Sequence, residues 1–194
     1  MSTRGRKRDP EKDAAIRTAA CELLVQVGYA HLTMEAVAAR AGVSKPTLYL
    51  RYPSRAVLVF DAIFGKTRAL DIPDYGDVRA ELRETYRWAV DEFAAPEAKA
   101  AIPGLLAEVG SSRQLTRLIR GAALEPEYSR VRAMLQRAQA RGELRDDADL
   151  ELVIDAFIGT ALARVTLLDH AVDYAYGDRL VDLLLDGVMA GRAS

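Results

Sequence analysis

The segment TMEAVAARAGVSKPTLYLRY, from Thr33 to Tyr52, has the pattern of two short helices joined by a tight turn. Two small residues, Ala38 and Ala41, allow the helices to cross closely, and Gly42 tolerates the positive φ that such a turn requires. The apolar residues predicted to form a small core beneath the turn are Val37, Val43 and Leu48. The segment therefore predicts a helix-turn-helix, whose second helix enters the major groove of DNA.

The second helix has an inner and an outer face. Leu48 is expected to point inward, so helical geometry places Pro46 and Leu50 on the opposite side. Ser44 is positioned to cap the helix at its first turn. The residues predicted to contact DNA are Thr33, Ser44, Lys45, Pro46, Thr47, Tyr49, Leu50, Arg51, Tyr52 and Arg55.

This pattern, from Thr33 to Leu58, resembles the DNA-binding signature of the TetR family of bacterial transcriptional regulators. The resemblance implies a helical homodimer in which three helices bind DNA and a fourth leads to a ligand-binding and dimerisation domain. It implies base contacts by Lys45, Pro46, Thr47 and Leu50, and phosphate contacts by Thr33, Tyr49, Arg51 and Arg55. The sequence departs from the family pattern at Arg51, where many members have histidine, although both side chains can reach a phosphate.

The rest of the chain also has helical apolar spacing, which predicts an all-α fold. We expect a basic arm at residues 1–9, a DNA-binding domain at 10–65 and an effector-binding and dimerisation domain at 66–194. One late helix is predicted from Asp149 to about His170, and the last from about Gly177 to Ala190. The resemblance implies that these two helices form a four-helix interface with their copies; the alternative is burial within one subunit.

Charge is divided unevenly along the 194 residues. The net charge is −1, but residues 1–66 carry +5 and the remainder −6, so a basic footprint coincides with the predicted DNA-binding segment. The basic residues Arg4 to Arg8 are either an arm that reaches DNA or a solubilising tail. The sequence has neither an apolar run of about 20 residues nor the apolar stretch of a secretory signal, so we expect a cytoplasmic protein with no membrane partner.

Aromatic and polar residues of the C-terminal domain are candidates for an effector pocket between its helices. The candidate effector-binding residues are Trp88, Phe93, Arg117, Arg164 and His170, and for each the alternative is ordinary core packing or exposure. The arginines, if buried, would need an acidic partner from the protein or from a ligand. Neither histidine has a second metal ligand at suitable spacing, so no metal or other cofactor is predicted.

The helix-turn-helix pattern predicts a DNA-binding protein, and the family resemblance implies that it is a homodimeric, ligand-responsive transcriptional repressor of a pseudo-palindromic operator. An enzyme is not expected, because the sequence contains no catalytic constellation and no phosphate- or dinucleotide-binding motif. The alternative function is a regulator that acts through protein partners without a small-molecule effector.

Overall fold

The computed structural model describes residues 9–65, 73–121, 125–168 and 170–188, where helices are joined by turns and short loops. The helices are α1 (Pro10–His31), α2 (Met34–Arg40), α3 (Lys45–Arg51), α4 (Arg55–Phe64), α5 (Val78–Ala94), α6 (Pro96–Gly110), α7 (Arg113–Ile119), α8 (Glu125–Ala140), α9 (Leu150–Leu162) and α10 (Tyr174–Val188). No β-strand occurs in the described ranges, and the predicted all-α fold is confirmed. The predicted basic arm lies almost entirely outside them.

The chain divides into two compact units, one of residues 1–66 with 100–119 and the other of residues 67–99 with 120–194. The domain boundary predicted after residue 65 falls next to the end of the first segment. Most of α6 and all of α7 group with the first unit, although both helices lie within the predicted domain at residues 66–194. The predicted domain bounds stay a prediction.

The first unit is organised around α1 and α4. Asp9 caps α1 by accepting a hydrogen bond from the backbone N–H of Glu11, and the helix is interrupted at Gly28, whose φ is +73°. Ile16 and Leu24 of α1 are fully inaccessible to solvent. α1 packs against α4 and α2, and α2 contacts α3.

The second unit is built from α5, α8, α9 and α10 around the fully buried Phe157. The ring of Tyr86 meets Phe157 edge-on, with the ring centroids 5.5 Å apart. On the surface of α5, Arg83 forms ion pairs with Asp178 and Asp182 of α10. These contacts fix α10 along α5.

The predicted helix from Asp149 to His170 is not continuous. α9 ends at Leu162 and is followed by a π-helical turn, Ala163–Leu167. The hydroxyl of Thr166 donates a hydrogen bond to the carbonyl oxygen of Leu162, 2.6 Å away. Threonine side chains that bond the preceding turn in this way compete with the helical backbone pattern and bend it.

Part of the apolar surface of α9 and of the π-helical turn after it is buried within the single chain. The buried residues of this surface are Val153, Ile154, Phe157, Ala161 and Val165. Leu183 of α10, in contrast, is 72% exposed, and Leu152 of α9 is 64% exposed. None of the helices in the described ranges combines the length and apolar character that a bilayer crossing requires.

Candidate nucleic-acid interface

The connection between α2 and α3 is a tight turn fixed by backbone bonds. Gly42 has a φ of +65°, and the N–H of Val43 donates to the carbonyl oxygen of Ala38 at 3.0 Å. Thr33 caps α2 by accepting from the N–H of Ala36, and Ser44 caps α3 by accepting from the N–H of Thr47. The predicted roles of Thr33, Gly42 and Ser44 in local structure are therefore confirmed.

The two faces of α3 differ sharply in exposure. Leu48 is completely buried, whereas Leu50 is 85% exposed and Tyr49 is 46% exposed. Pro46 and Lys45 are also exposed. A leucine this exposed, beside a tyrosine and a lysine, forms a mixed apolar and cationic surface suited to base edges and thymine methyl groups.

The polar side chains at the start of α3 already have partners within the protein. Lys45 Nζ lies 3.3 Å from Glu35 Oε1 in an ion pair whose members are both more than half exposed. The hydroxyl oxygens of Ser44 and Thr47 lie 2.8 Å apart. An exposed ion pair contributes little stability, so Lys45 can exchange Glu35 for DNA at small cost.

The C-terminal end of α3 is held more firmly. Arg51 Nε donates to Asp13 Oδ1 at 2.6 Å, and the two side chains are only 15% and 16% exposed. Tyr52 is buried, and its hydroxyl donates to Asp61 Oδ2 at 2.6 Å. Burial and this bond to a carboxylate raise the pKa of Tyr52 well above its usual range. Arg51 and Tyr52 thus face the protein interior in this structure.

Arg55, at the first position of α4, belongs to a cluster with Tyr29 and Glu108. Arg55 Nη2 donates to Glu108 Oε2 at 2.6 Å, and the Tyr29 hydroxyl donates to the same oxygen at 2.8 Å. The guanidinium carbon also lies 4.4 Å from the centre of the Tyr29 ring. Burial raises the pKa of Glu108, but the bonds from Arg55 and Tyr29 outweigh it and hold this pKa below its usual value.

Three carboxylates accept hydrogen bonds from side chains predicted to contact DNA, and the sequence did not indicate these pairings. Asp13 and Asp61 read as ordinary polar positions of amphipathic helices, although both lie in the DNA-binding segment. Glu108 is 53 residues from Arg55, and nothing in the spacing indicates that they meet. The DNA contacts predicted for Arg51, Tyr52 and Arg55 stay predictions.

The candidate effector residues lie in both units. Trp88 and Phe93 are partly buried against the core of the second unit, where the Arg164 guanidinium also lies 3.7 Å from the centre of the Tyr176 ring. The His170 side chain is exposed, and the backbone N–H of this residue donates a hydrogen bond to the carbonyl oxygen of Arg164.

Arg117 lies in the first unit and is exposed, so burial does not require it to have an acidic partner. With Arg113 and Thr116 it lines an open cavity of about 420 Å³. Within the part of the chain that the structure describes, no three His, Cys, Asp or Glu side chains are grouped to hold a metal ion.

Comparison with known proteins identifies both parts of the chain. Residues 16–62 match the family model "Bacterial regulatory proteins, tetR family", and residues 72–184 match "Tetracyclin repressor-like, C-terminal domain". The chain is 28% identical to the uncharacterized HTH-type transcriptional regulator YdeS of Bacillus subtilis, covering all of this chain and 98% of the relative. It is 30% identical to the DNA-binding transcriptional repressor TetR of Mycobacteroides abscessus, and the match covers 92% of this chain and 94% of the relative.

A solved structure gives the same result. The TetR family transcription regulator SCO0332 is 33% identical and superposes with a TM-score of 0.75, covering 93% of this chain and all of that one. The similarity therefore extends well beyond the helix-turn-helix.

Proposed function

We propose that this chain, which belongs to the TetR family of bacterial transcriptional regulators, represses transcription by binding a pseudo-palindromic operator as a homodimer. The observation that carries the proposal is the outer face of α3, where Leu50 is 85% exposed beside Tyr49 and Lys45. Pro46 is exposed on the same short helix, so these side chains together form a mixed apolar and cationic surface. Such a surface suits base edges and thymine methyl groups.

The proposed contacts follow from exposure and chemistry. Lys45 and Thr47 would donate to base edges, while Pro46 and Leu50 would pack on thymine methyl groups. Thr33 and Tyr49 would contact flanking phosphates, which set the register of the helix on DNA but carry no sequence information. Arg55 can contribute only by sharing or leaving Glu108, because its guanidinium is already bonded to that carboxylate.

The proposed dimer uses α9 and α10 of the second unit. Leu152 and Leu183 are strongly exposed on these helices, and nothing in the described part of the chain covers them. Two subunits would place two copies of α3 in successive major grooves, which accounts for the expected two-fold symmetry of the operator.

The proposed response to a small molecule involves the second unit, where Trp88, Phe93 and Arg164 offer apolar, aromatic and cationic groups. An effector would weaken DNA binding only to the extent that it binds the DNA-free conformation more tightly. A ligand-induced rise in the melting temperature would support this response. A regulator that acts through protein partners alone would show no such rise with any small molecule.

Gel retardation with the DNA upstream of the gene tests the DNA-binding proposal. The double variant Lys45→Ala, Tyr49→Ala should abolish retardation while leaving the oligomeric state unchanged. The matched control is Tyr75→Ala, Arg145→Ala, which removes one exposed tyrosine and one exposed cation from the second unit. Equal retardation by both double variants would refute the assignment of α3.

A further inference from the structure

The last residue of the recognition helix points away from the surface that the rest of α3 presents. The Arg51 side chain is 15% exposed, whereas Lys45 at the other end of the helix is 61% exposed. The partner of Arg51 is Asp13, in the first turn of α1 and 38 residues away in the sequence. This bond therefore ties α3 to α1 and is not a local feature of one helix.

A second bond holds the next residue in the same way. The buried Tyr52 donates to Asp61 of α4, and Arg17 of α1 lies 3.5 Å from the same carboxylate oxygen. The C-terminal end of α3 is thus fastened to α1 through Asp13 and to α4 through Asp61. The N-terminal end is fixed separately by the turn at Gly42, so both ends of the helix are held.

A phosphate contact by Arg51 would conflict with this arrangement. A phosphate close enough to bond the guanidinium would also approach the Asp13 carboxylate, which carries a like charge. The N–H groups of Arg51 that do not bond Asp13 could reach a phosphate only by bringing a second anion beside this carboxylate, and relieving that repulsion would break the 2.6 Å bond and leave the largely inaccessible Asp13 without its partner. The geometry favours retention of the pair when DNA binds.

We propose that Arg51 is a positioning residue, which sets the angle of the recognition helix through Asp13 and neutralises no phosphate. The inference rests on the proposed function, since it concerns how α3 is presented to DNA. It assigns Arg51 a role different from the phosphate contact that family resemblance implies. Asp13, for which the sequence suggested no role, becomes the residue on which the orientation of α3 depends.

The test measures the affinity of the full-length protein for its retarded upstream fragment as a function of salt. Each phosphate neutralised by a side chain contributes about 0.9 to the slope of log K against log salt concentration. The variants are Arg51→Gln, Arg51→Lys, Asp13→Asn and the double Arg51→Gln, Asp13→Asn. The control, Glu11→Gln, removes the same charge from the same turn of α1 at an exposed position.

If Arg51 positions α3, Arg51→Gln and Asp13→Asn each weaken binding by about tenfold, and the double variant is no weaker than either, because the two residues act as one unit. Arg51→Lys also binds DNA more weakly than the wild type, although lysine keeps the positive charge. In every variant the slope of log K against log salt concentration equals that of the wild type. Glu11→Gln changes affinity by no more than about twofold.

If Arg51 instead contacts a phosphate, the results reverse. Asp13→Asn then releases the guanidinium and tightens binding beyond the Glu11→Gln control, Arg51→Lys retains binding, and Arg51→Gln lowers the slope by about one. Any of these outcomes would overturn the inference. Failure of the wild-type protein to retard DNA at all would contradict the proposed function itself, and is distinguishable from both results.

Discussion

Replacing Glu108 by glutamine is expected to lower the melting temperature of the protein at pH 7. The variant retains the shape of the side chain but removes the charge that accepts hydrogen bonds from Arg55 at 2.6 Å and Tyr29 at 2.8 Å. The side chains of Glu108 and Arg55 are 28% and 32% exposed, which lies between a surface ion pair and a buried one.

The size of the effect follows from that intermediate burial. Exposed ion pairs contribute about 0–1 kcal/mol, and breaking a fully buried one costs about 3–5 kcal/mol. We therefore expect a loss of about 1–2 kcal/mol for Glu108→Gln. In a protein of this size that loss corresponds to a melting temperature lower by about 2–8 °C.

The effect should also depend on pH in a defined direction. Because the pKa of Glu108 is lowered in the folded protein, its charge stabilises the fold above the unfolded pKa of about 4.3. That stabilisation is lost as the pH falls through the folded value. The difference between wild type and variant should therefore be full at pH 7 and shrink towards pH 3.

Thermal unfolding followed by circular dichroism measures both effects. The matched control is Glu22→Gln, which removes a 54%-exposed carboxylate paired with Arg40 at 3.5 Å in the same unit. Two results would show that the Glu108 charge does not stabilise the fold as described. One is equal melting temperatures for the two variants at pH 7, and the other is a difference between wild type and Glu108→Gln that is as large at pH 3 as at pH 7.

Two further predictions concern packing and assembly. Gly104→Ala should destabilise the protein by about 1–3 kcal/mol in urea unfolding, because the new Cβ would lie 2.5 Å from Cδ1 of Tyr29. In Gly110→Ala of the same helix the new Cβ lies within 4 Å of no other atom, so the free energy of unfolding should not fall. An equal loss of stability in both variants would contradict the proposed clash with Tyr29. Leu183→Glu should convert the proposed dimer to a monomer in sedimentation, whereas Val25→Glu, an exposed change in the first unit, should not. A dimer that survives Leu183→Glu would exclude this face of α10.

Much of the fold follows from local signals that the sequence displays directly. Asp9, Thr33 and Ser44 are caps, and Gly42 supplies a positive φ, so the helix boundaries of the DNA-binding segment could be predicted closely. Helical geometry alone predicts that Leu48 and Leu50 lie on opposite faces of α3, so that one is buried and the other exposed. These features depend on residues within one or two turns of each other.

The parts that could not be predicted depend on contacts between distant residues. Arg51 meets Asp13, and Arg55 meets Glu108, across 38 and 53 residues. A single sequence shows that an arginine is charged but not which carboxylate it faces.

The outer face of α3 is proposed to lie in the major groove of an operator. DNA cleavage from an iron–EDTA group tethered to cysteine in a Leu50→Cys variant measures this placement. The wild-type protein is the reagent control, because its one cysteine, Cys21, is buried. A Tyr75→Cys variant carries the group on the second unit instead.

If α3 lies in the groove, Leu50→Cys alone gives two clusters of cuts, one in each half-site and related by two-fold symmetry. Equally strong cleavage from Tyr75→Cys, or no cleavage from a Leu50→Cys protein that still retards the fragment, would rule out this placement of α3.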